Sequence, residues 1–336
     1  MSATYRTYLL RKVAGLLVTV LLITSLNFFI FQVLPGDPTR ILLPRGGGSP
    51  TDVINTTRLR DQLVHEWGLD RPVYERFGIY LWNLLHGNWG TTITYKAGND
   101  VWAVILPSLA NTLVLTGVGT VVAIYMGIKL GLFAGWRRGK RADETVVLSS
   151  LLLYSMPTFW LAIALIFIFA VYLPLLPVGG SVTPIVHDTL DVWGKLADRG
   201  IHLVLPLAAF ILNEHAIFTL IMRNSLIEEL SEDYMTTARA KGLSERQQLR
   251  RHAVPNARLP VSTLVALYIG WILSGAIVIE VVFGLNGVGN LTYEAVVNRD
   301  YPLLSAIFLV GTLGVIVANA ILDVLYSYLD PRVTEA

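Results

Sequence analysis

Residues 13–34 carry no charged side chain, and neither do residues 101–128, 145–173, 259–279 and 301–322. A helix crosses the hydrocarbon core of a bilayer with about 20 predominantly apolar residues, and the shortest of these runs has 21. Five of them in one chain of 336 residues decide the class: an all-α membrane protein. Charged residues make up 15% of the chain, where a soluble domain carries about 25%.

A sixth run, residues 200–222, has the length but is interrupted by Glu214 and His215. Counting it gives six transmembrane helices. Residues 101–128 extend past Lys129, whose charge is placed to snorkel, to Trp136. Pro157 lies inside 145–173 and predicts a kink. The first run follows Arg6, Arg11 and Lys12, yet it is longer than the roughly 7–15 apolar residues of a signal peptide. "VLPGDP" follows it in place of a cleavage site, so a retained helix is expected.

Lys and Arg concentrate in cytoplasmic segments. With the N-terminus inside, residues 1–12, 135–145, 223–258 and 327–336 hold 15 of them in 69 residues. The opposite side, residues 35–107, 174–201 and 283–302, holds 10 in 121. Both termini are therefore expected in the cytoplasm. The chain then reads as an N-terminal helix plus an extracytoplasmic helical segment (1–107), a five-helix core (108–326) with a cytoplasmic loop at 223–258, and a short tail (327–336).

The long segment 35–107 needs structure of its own. Leu59, Leu63 and Trp67 share one helical face, and Trp82 and Trp89 suit a membrane–water interface. A helical cap over the bundle mouth and direct substrate contact are both compatible with this. "FGLNGVGNL" (283–291) lacks the Lys and Ser/Thr of a Walker motif, so no ATP site is expected in this chain. The six His residues show no paired metal-ligand spacing, and without cysteine there are no disulfides or thiolate sites. No catalytic, cofactor or metal residues are expected, and a net charge of +2 gives no reason to expect nucleic acid.

The strongest local signal is "TTARAKGLSERQQLRRHAVPNARLP" (236–260), with six Lys and Arg and one Glu. Good helix formers run from 222 to 241, and Gly242 suits a left-handed helix end. Ser244 and Gln247 form a capping-box pattern, Glu245 favours the new helix's first turn, and Arg250 and Arg251 lie towards its end. Pro255 is expected to stop or kink that helix. Positive-inside signal and attraction to anionic lipid would explain the charge. The helix–turn–helix architecture is better explained as a docking element for a cytoplasmic partner.

That stretch resembles the coupling loop of ABC importer permeases, E-A-A-x-x-x-G followed after nine residues by I-x-L-P. Thr236, Thr237, Ala238 and Gly242 occupy the first part and His252, Val254 and Pro255 the second; Thr236 replaces the Glu and His252 the Ile. "DYMTTARAKGLSERQQLRRHAVPNA", "VLPGDP", "SMPTFWLA", "IEVVFGLNGVGNL", "RDYPLL" and "LDVLYSYLDPR" are similar, in order along the chain, to the dipeptide/oligopeptide/nickel subfamily, in particular to its first permease subunit. The resemblance implies a type I importer permease fold in a prokaryotic plasma membrane. It also implies a second related permease, two cytoplasmic subunits that bind ATP and Mg, and an extracytoplasmic substrate-binding protein. The coupling loop it implies includes Thr237, Ala238, Arg239, Lys241, Gly242, Leu243, Ser244, Glu245, Arg250, Arg251, His252 and Pro255.

Glu214 and His215 remain as ionisable residues inside a span. Such residues usually face a bundle interior or a water-filled path, so they are candidates for the translocation path. A structural pair with a neighbouring helix or subunit is the other reading. An ion-coupled secondary transporter is the alternative function, with Glu214 and His215 as its only candidate ion site.

Overall fold

The computed structural model describes residues 3–33, 70–272 and 276–329, and the regular structure among them is helical apart from one antiparallel bridge, Thr91–Asp100. In chain order the helices are α1 (Ala3–Phe28), α2 (Val73–Leu85), α3 (Val101–Trp136), α4 (Arg141–Ser155), α5 (Thr158–Ile166) and α6 (Val192–Glu229). They continue as α7 (Asp233–Ala240), α8 (Glu245–Gln248), α9 (Val254–Trp271), α10 (Ile277–Phe283), α11 (Val288–Val297) and α12 (Tyr301–Leu329). Four helical stretches among the described residues are long and apolar enough to cross a membrane: Val13–Phe31, α3, α6 and Tyr301–Ala320. The pair α4–α5, bent by 99°, is a fifth candidate. The face formed by Leu59, Leu63 and Trp67 lies outside the described residues.

The departures from expectation are local. Pro157 does more than kink its span: α4 ends at Ser155 and α5 starts at Thr158, after an extended Met156 (φ −72°, ψ 131°). The run 259–279 is not one helix. Ala276, just before α10, is non-helical (φ −112°, ψ 67°), and the Thr116 hydroxyl donates to the Ile272 carbonyl at 2.8 Å. That bond satisfies a carbonyl inside an apolar run that would otherwise lose its partner. Glu214 and His215, by contrast, do not interrupt α6, which runs on for 38 residues.

Two compact units emerge. The first joins Met1–Pro107 to Leu291–Ile316. Asn27 on α1 accepts from Ser305 Oγ at 2.6 Å and from the Tyr80 hydroxyl at 3.0 Å, and donates to the Ser305 carbonyl at 3.1 Å. One amide thus ties α1, α2 and α12. Asp300, fully buried, receives the backbone N–H groups of Ile93, Thr94 and Tyr95 on one oxygen, Oδ2, at 2.8–3.0 Å. That carboxylate fixes the 91–100 turn to the start of α12.

The second unit joins Ser108–Asn290 to Val317–Ala336 and is organised around α6. Gly127 and Gly131 on α3 sit so close to it that an added Cβ would lie 2.7 Å from the His215 carbonyl and 2.6 Å from that of Thr219. Small residues four apart let two apolar helices approach where no hydrophobic effect drives them together. One apolar cluster packs α5, α6 and α10 through Leu161, Leu165, Leu205, Ile279 and Phe283. A second packs α6, α7 and α9 through Phe218, Met222, Met235, Ala253 and Val261.

Candidate functional site

The basic hairpin grows out of that second cluster. After α6, residues 230–232 turn the chain into α7, so the helix expected from 222 to 241 is two helices. Met235 and Ala238 on α7 are buried, while Thr237, Arg239 and Lys241 are exposed. Past Lys241, the Gly242 N–H donates to the Arg239 carbonyl at 2.9 Å and the Leu243 N–H to Ala238 at 3.4 Å. This is a Schellman end, and it requires the left-handed backbone that Gly242 adopts at φ 73°.

Ser244 opens α8 with the expected capping box. Gln247 Oε1 accepts from the Ser244 backbone N–H at 3.0 Å and from its hydroxyl at 2.9 Å. Gln248, buried, donates to the Leu243 carbonyl at 2.6 Å and closes the turn from inside. Pro255 behaves differently from expectation. It does not stop the second arm: a π-helical turn, Leu249–Ala253, carries the chain into α9, which begins at Val254. A proline in a helix's first turn lacks only an N–H that has no partner there.

Tyr234 braces the hairpin to both flanking helices. Its hydroxyl donates to Glu229 at the end of α6 and accepts from Asn256 Nδ2 on α9 at 3.2 Å. Burial holds the phenol above its ordinary pKa, and the hydrogen bond and charge of Glu229 act in the same direction. The phenol therefore keeps its proton and remains the donor. Arg239, Lys241, Arg246, Arg250 and Arg251 are exposed, as are Ser244, Glu245 and Pro255, while Leu243 and His252 are half-buried. Ser244, Arg246, Gln247, Arg250 and Arg251 line a shallow concavity of about 300 Å³. What results is a rigid, basic, outward-facing surface.

The second candidate, on α6, separates into individual roles. Asn213 Nδ2 donates to the Leu153 and Met156 carbonyls at 3.4 and 3.5 Å, and Asn213 Oδ1 accepts from the Thr158 hydroxyl at 3.3 Å, spanning the α4–α5 bend. His215 is buried, with Nε2 3.4 Å from Ser150 Oγ on α4 and Nδ1 near the Ile211 and Leu212 carbonyls. Glu214 is half-buried, one turn before Phe218, whose ring packs edge-on against Tyr268 on α9 at 4.9 Å.

Three participants escaped the reading of the sequence. Asp143, at the start of α4, is buried and pairs with Arg223. Glu280, fully buried on α10, accepts from the N–H groups of Gly289 and Asn290 at 2.6 and 3.1 Å and from the Thr112 hydroxyl at 2.8 Å. Tyr268 is the third. A Glu ending the run 259–279 and two N–H groups at a helix start nine and ten residues on are a signal for the second, since carboxylates favour helix N-termini. For Asp143 and Tyr268 the sequence holds no comparable cue.

The described residues thus form an all-helical, multi-span fold with a basic hairpin braced between two of its helices, the class of a multi-pass membrane protein. Residues 127–335 match the family described as binding-protein-dependent transport system inner membrane component, and residues 5–116 match its N-terminal companion model. The chain belongs to this family, which sets it among binding-protein-dependent transporters rather than ion-coupled ones. It is 34% identical over 343 residues to the dipeptide transport system permease protein DppB of Escherichia coli K12, covering 97% of this chain and 98% of that one. It is 32% identical over 326 residues to the oligopeptide transport system permease protein AppB of Bacillus subtilis, with the same coverage. To the glutathione transport system permease protein GsiC of Salmonella typhi it is 34% identical over 331 residues, again with that coverage. Among solved structures, an inward-facing MetNI methionine ABC transporter chain matches with a TM-score of 0.53 at 14% identity, over 68% of this chain and 96% of that one. That likeness establishes the fold.

Proposed function

We propose that the chain is one of two related permease subunits of an ATP-driven importer of di- and oligopeptides or related small solutes, and that the basic hairpin couples it to a cytoplasmic ATPase. In this reading six helices span a prokaryotic plasma membrane, with both termini and the hairpin inside and residues 35–107 outside. The two permeases together form the translocation pathway. Two ATPase subunits bind and hydrolyse ATP with Mg, and an extracytoplasmic binding protein delivers the solute. This chain itself performs no catalysis.

The observation that carries the reading is how the hairpin is built. Attraction to anionic lipid needs charge alone. A Schellman end, a capping box, buried Met235 and Ala238, and Tyr234 braced between Glu229 and Asn256 instead hold five cations in one fixed arrangement. Such rigidity suits transmission of a rigid-body movement between subunits. The test is reconstitution of the complex with its binding protein and measurement of labelled dipeptide uptake. Uptake is expected to require ATP and the binding protein, and to be lost together with ATPase co-purification when Arg250 and Arg251 are changed to Glu. Uptake driven by an ion gradient without ATP would overturn the proposal.

A further inference from the structure

Gly127, Gly131 and Gly135 mark the face of α3 that packs on α6: an added Cβ would lie 2.7, 2.6 and 3.1 Å from the carbonyls of His215, Thr219 and Arg223. Residues two places apart on a helix point about 200° from one another. Tyr125, Lys129, Phe133 and Arg137 are each two places from those glycines, so they line the opposite face, and all four are exposed. They form two cation–ring pairs. The Lys129 ammonium lies 5.4 Å from the Tyr125 ring centre, and the Arg137 guanidinium 3.9 Å from that of Phe133.

The level of these pairs follows from length. α3 has 36 residues, about 54 Å, against a hydrocarbon core of about 30 Å. Its charge-free part, 101–128, already exceeds that thickness. Lys129 therefore falls at the boundary of the core, and the turns after it lie among the headgroups. Tyr125 has the ring type found at that boundary. Beyond Trp136 come Arg138, Lys140 and Arg141, on a turn that Asp143 holds through the Gly139 N–H at 3.1 Å. Residues 125–145 carry five Lys and Arg against two acids, one of which, Asp143, is taken by Arg223. Among the described residues none of the five forms an ion pair.

Basic clusters that adjoin the end of a span attract anionic lipid. A cytoplasmic partner would meet Arg138, Lys140 and Arg141 but would not reach Tyr125 or Lys129. A neighbouring span would have to carry carboxylates to the edge of the hydrocarbon, where they are costly; the phosphates of the bilayer are already there. We propose that this face of α3 binds an anionic phospholipid, whose phosphate pairs with Lys129 and Arg137 and whose acyl chains run along the exposed apolar side of the helix. Arg138, Lys140 and Arg141 supply the positive field that favours an anionic headgroup over a zwitterionic one. The site is independent of which solute is carried.

The full-length chain in detergent is titrated with phosphatidylglycerol or with phosphatidylcholine of the same acyl chains, and bound lipid is counted by native mass spectrometry. Phosphatidylglycerol is expected to bind about tenfold more tightly, with the preference lost in K129Q/R137Q, as removal of two cations near a membrane surface implies. K195Q/R199Q, the same charge change in the first turns of α6, is expected to keep it. No preference in the wild type, or equal loss in both variants, overturns the site. Inorganic phosphate that displaces the lipid at equal concentration would mark a free-anion site and overturns it too. Should K129Q/R137Q not fold, wild-type chain in nanodiscs containing phosphatidylglycerol with a photoactivatable headgroup decides: adducts within 125–141 uphold the site, and adducts only elsewhere overturn it. The same labelling on the assembled complex identifies the neighbour. Adducts within 125–141 that disappear on assembly would give the face to a partner subunit and overturn the lipid assignment.

Discussion

Arg223 at the hairpin end of α6 grips Asp143 at the start of α4 with two hydrogen bonds, Nε to Oδ1 at 2.6 Å and Nη2 to Oδ2 at 2.8 Å. Asp143 Oδ2 also accepts the Gly139 N–H at 3.1 Å, so the 137–140 turn is held by the same carboxylate. The pair is mostly shielded, with side-chain exposures of 23% for Arg223 and 4% for Asp143. Removing one partner of such a pair strands a buried charge, whereas replacing both is far less costly. R223A is therefore expected to destabilise the detergent-solubilised chain by about 3 kcal/mol, with D143N/R223M recovering most of the loss. Unfolding midpoints of the two variants check this. Equal destabilisation by both would show that packing, and not the charge pair, carries the contact.

Glu280 predicts a second hierarchy. Truncation to Ala leaves the N–H groups of Gly289 and Asn290 and the Thr112 hydroxyl without an acceptor in a fully buried site. Each stranded donor costs about 1–3 kcal/mol. E280A is expected to lower the yield of folded protein sharply, and E280Q, which keeps one acceptor oxygen, less so. Fluorescence-detected size exclusion of both variants gives the comparison, and an unaltered E280A profile would contradict it.

What was legible in the sequence was local. Four spans and a bent fifth showed because hydropathy is a property of neighbouring residues, and the hairpin because the Gly242 turn and the Ser244/Gln247 box are each complete within a few positions. Relationships that need two distant segments were hidden: Asp143 with Arg223, and Phe218 with Tyr268. Hydropathy is also blind to where an apolar run stops being helical, which is why 259–279 read as one helix although Ala276 is not. Pro157 announced a break but not its 99° angle. Two stretches quoted for the resemblance, "IEVVFGLNGVGNL" and "RDYPLL", turn out to contain Glu280 and Asp300, the buried carboxylates that each collect backbone N–H groups.

Gly242 separates docking from simple charge. An added Cβ meets nothing within 4 Å, so the penalty of a substitution comes from φ 73° alone. Left-handed backbone costs roughly 1–2 kcal/mol for most side chains, and Asn tolerates it. G242V is expected to lower coupled transport and ATPase co-purification, with G242N close to wild type. Were the hairpin only a lipid anchor, both variants would transport normally, because neither alters its charge.

The side of the membrane is the final test. Asp143 and Arg223 hold the start of α4 and the end of α6 at one level, so Arg137, Arg138, Lys140 and Arg141 lie on the same side as the hairpin. Together these segments contribute most of the Lys and Arg assigned to the inside, and short cation-rich loops stay in the cytoplasm. Residues 35–107 are expected on the opposite face, one span away through α1. In the cysteine-free chain, S49C should react with an impermeant maleimide on intact cells. S231C, at an exposed position just before α7, should react only after permeabilisation. The reverse pattern would put the hairpin outside, where no cytoplasmic ATPase reaches it, and the coupling proposal would fall with the orientation.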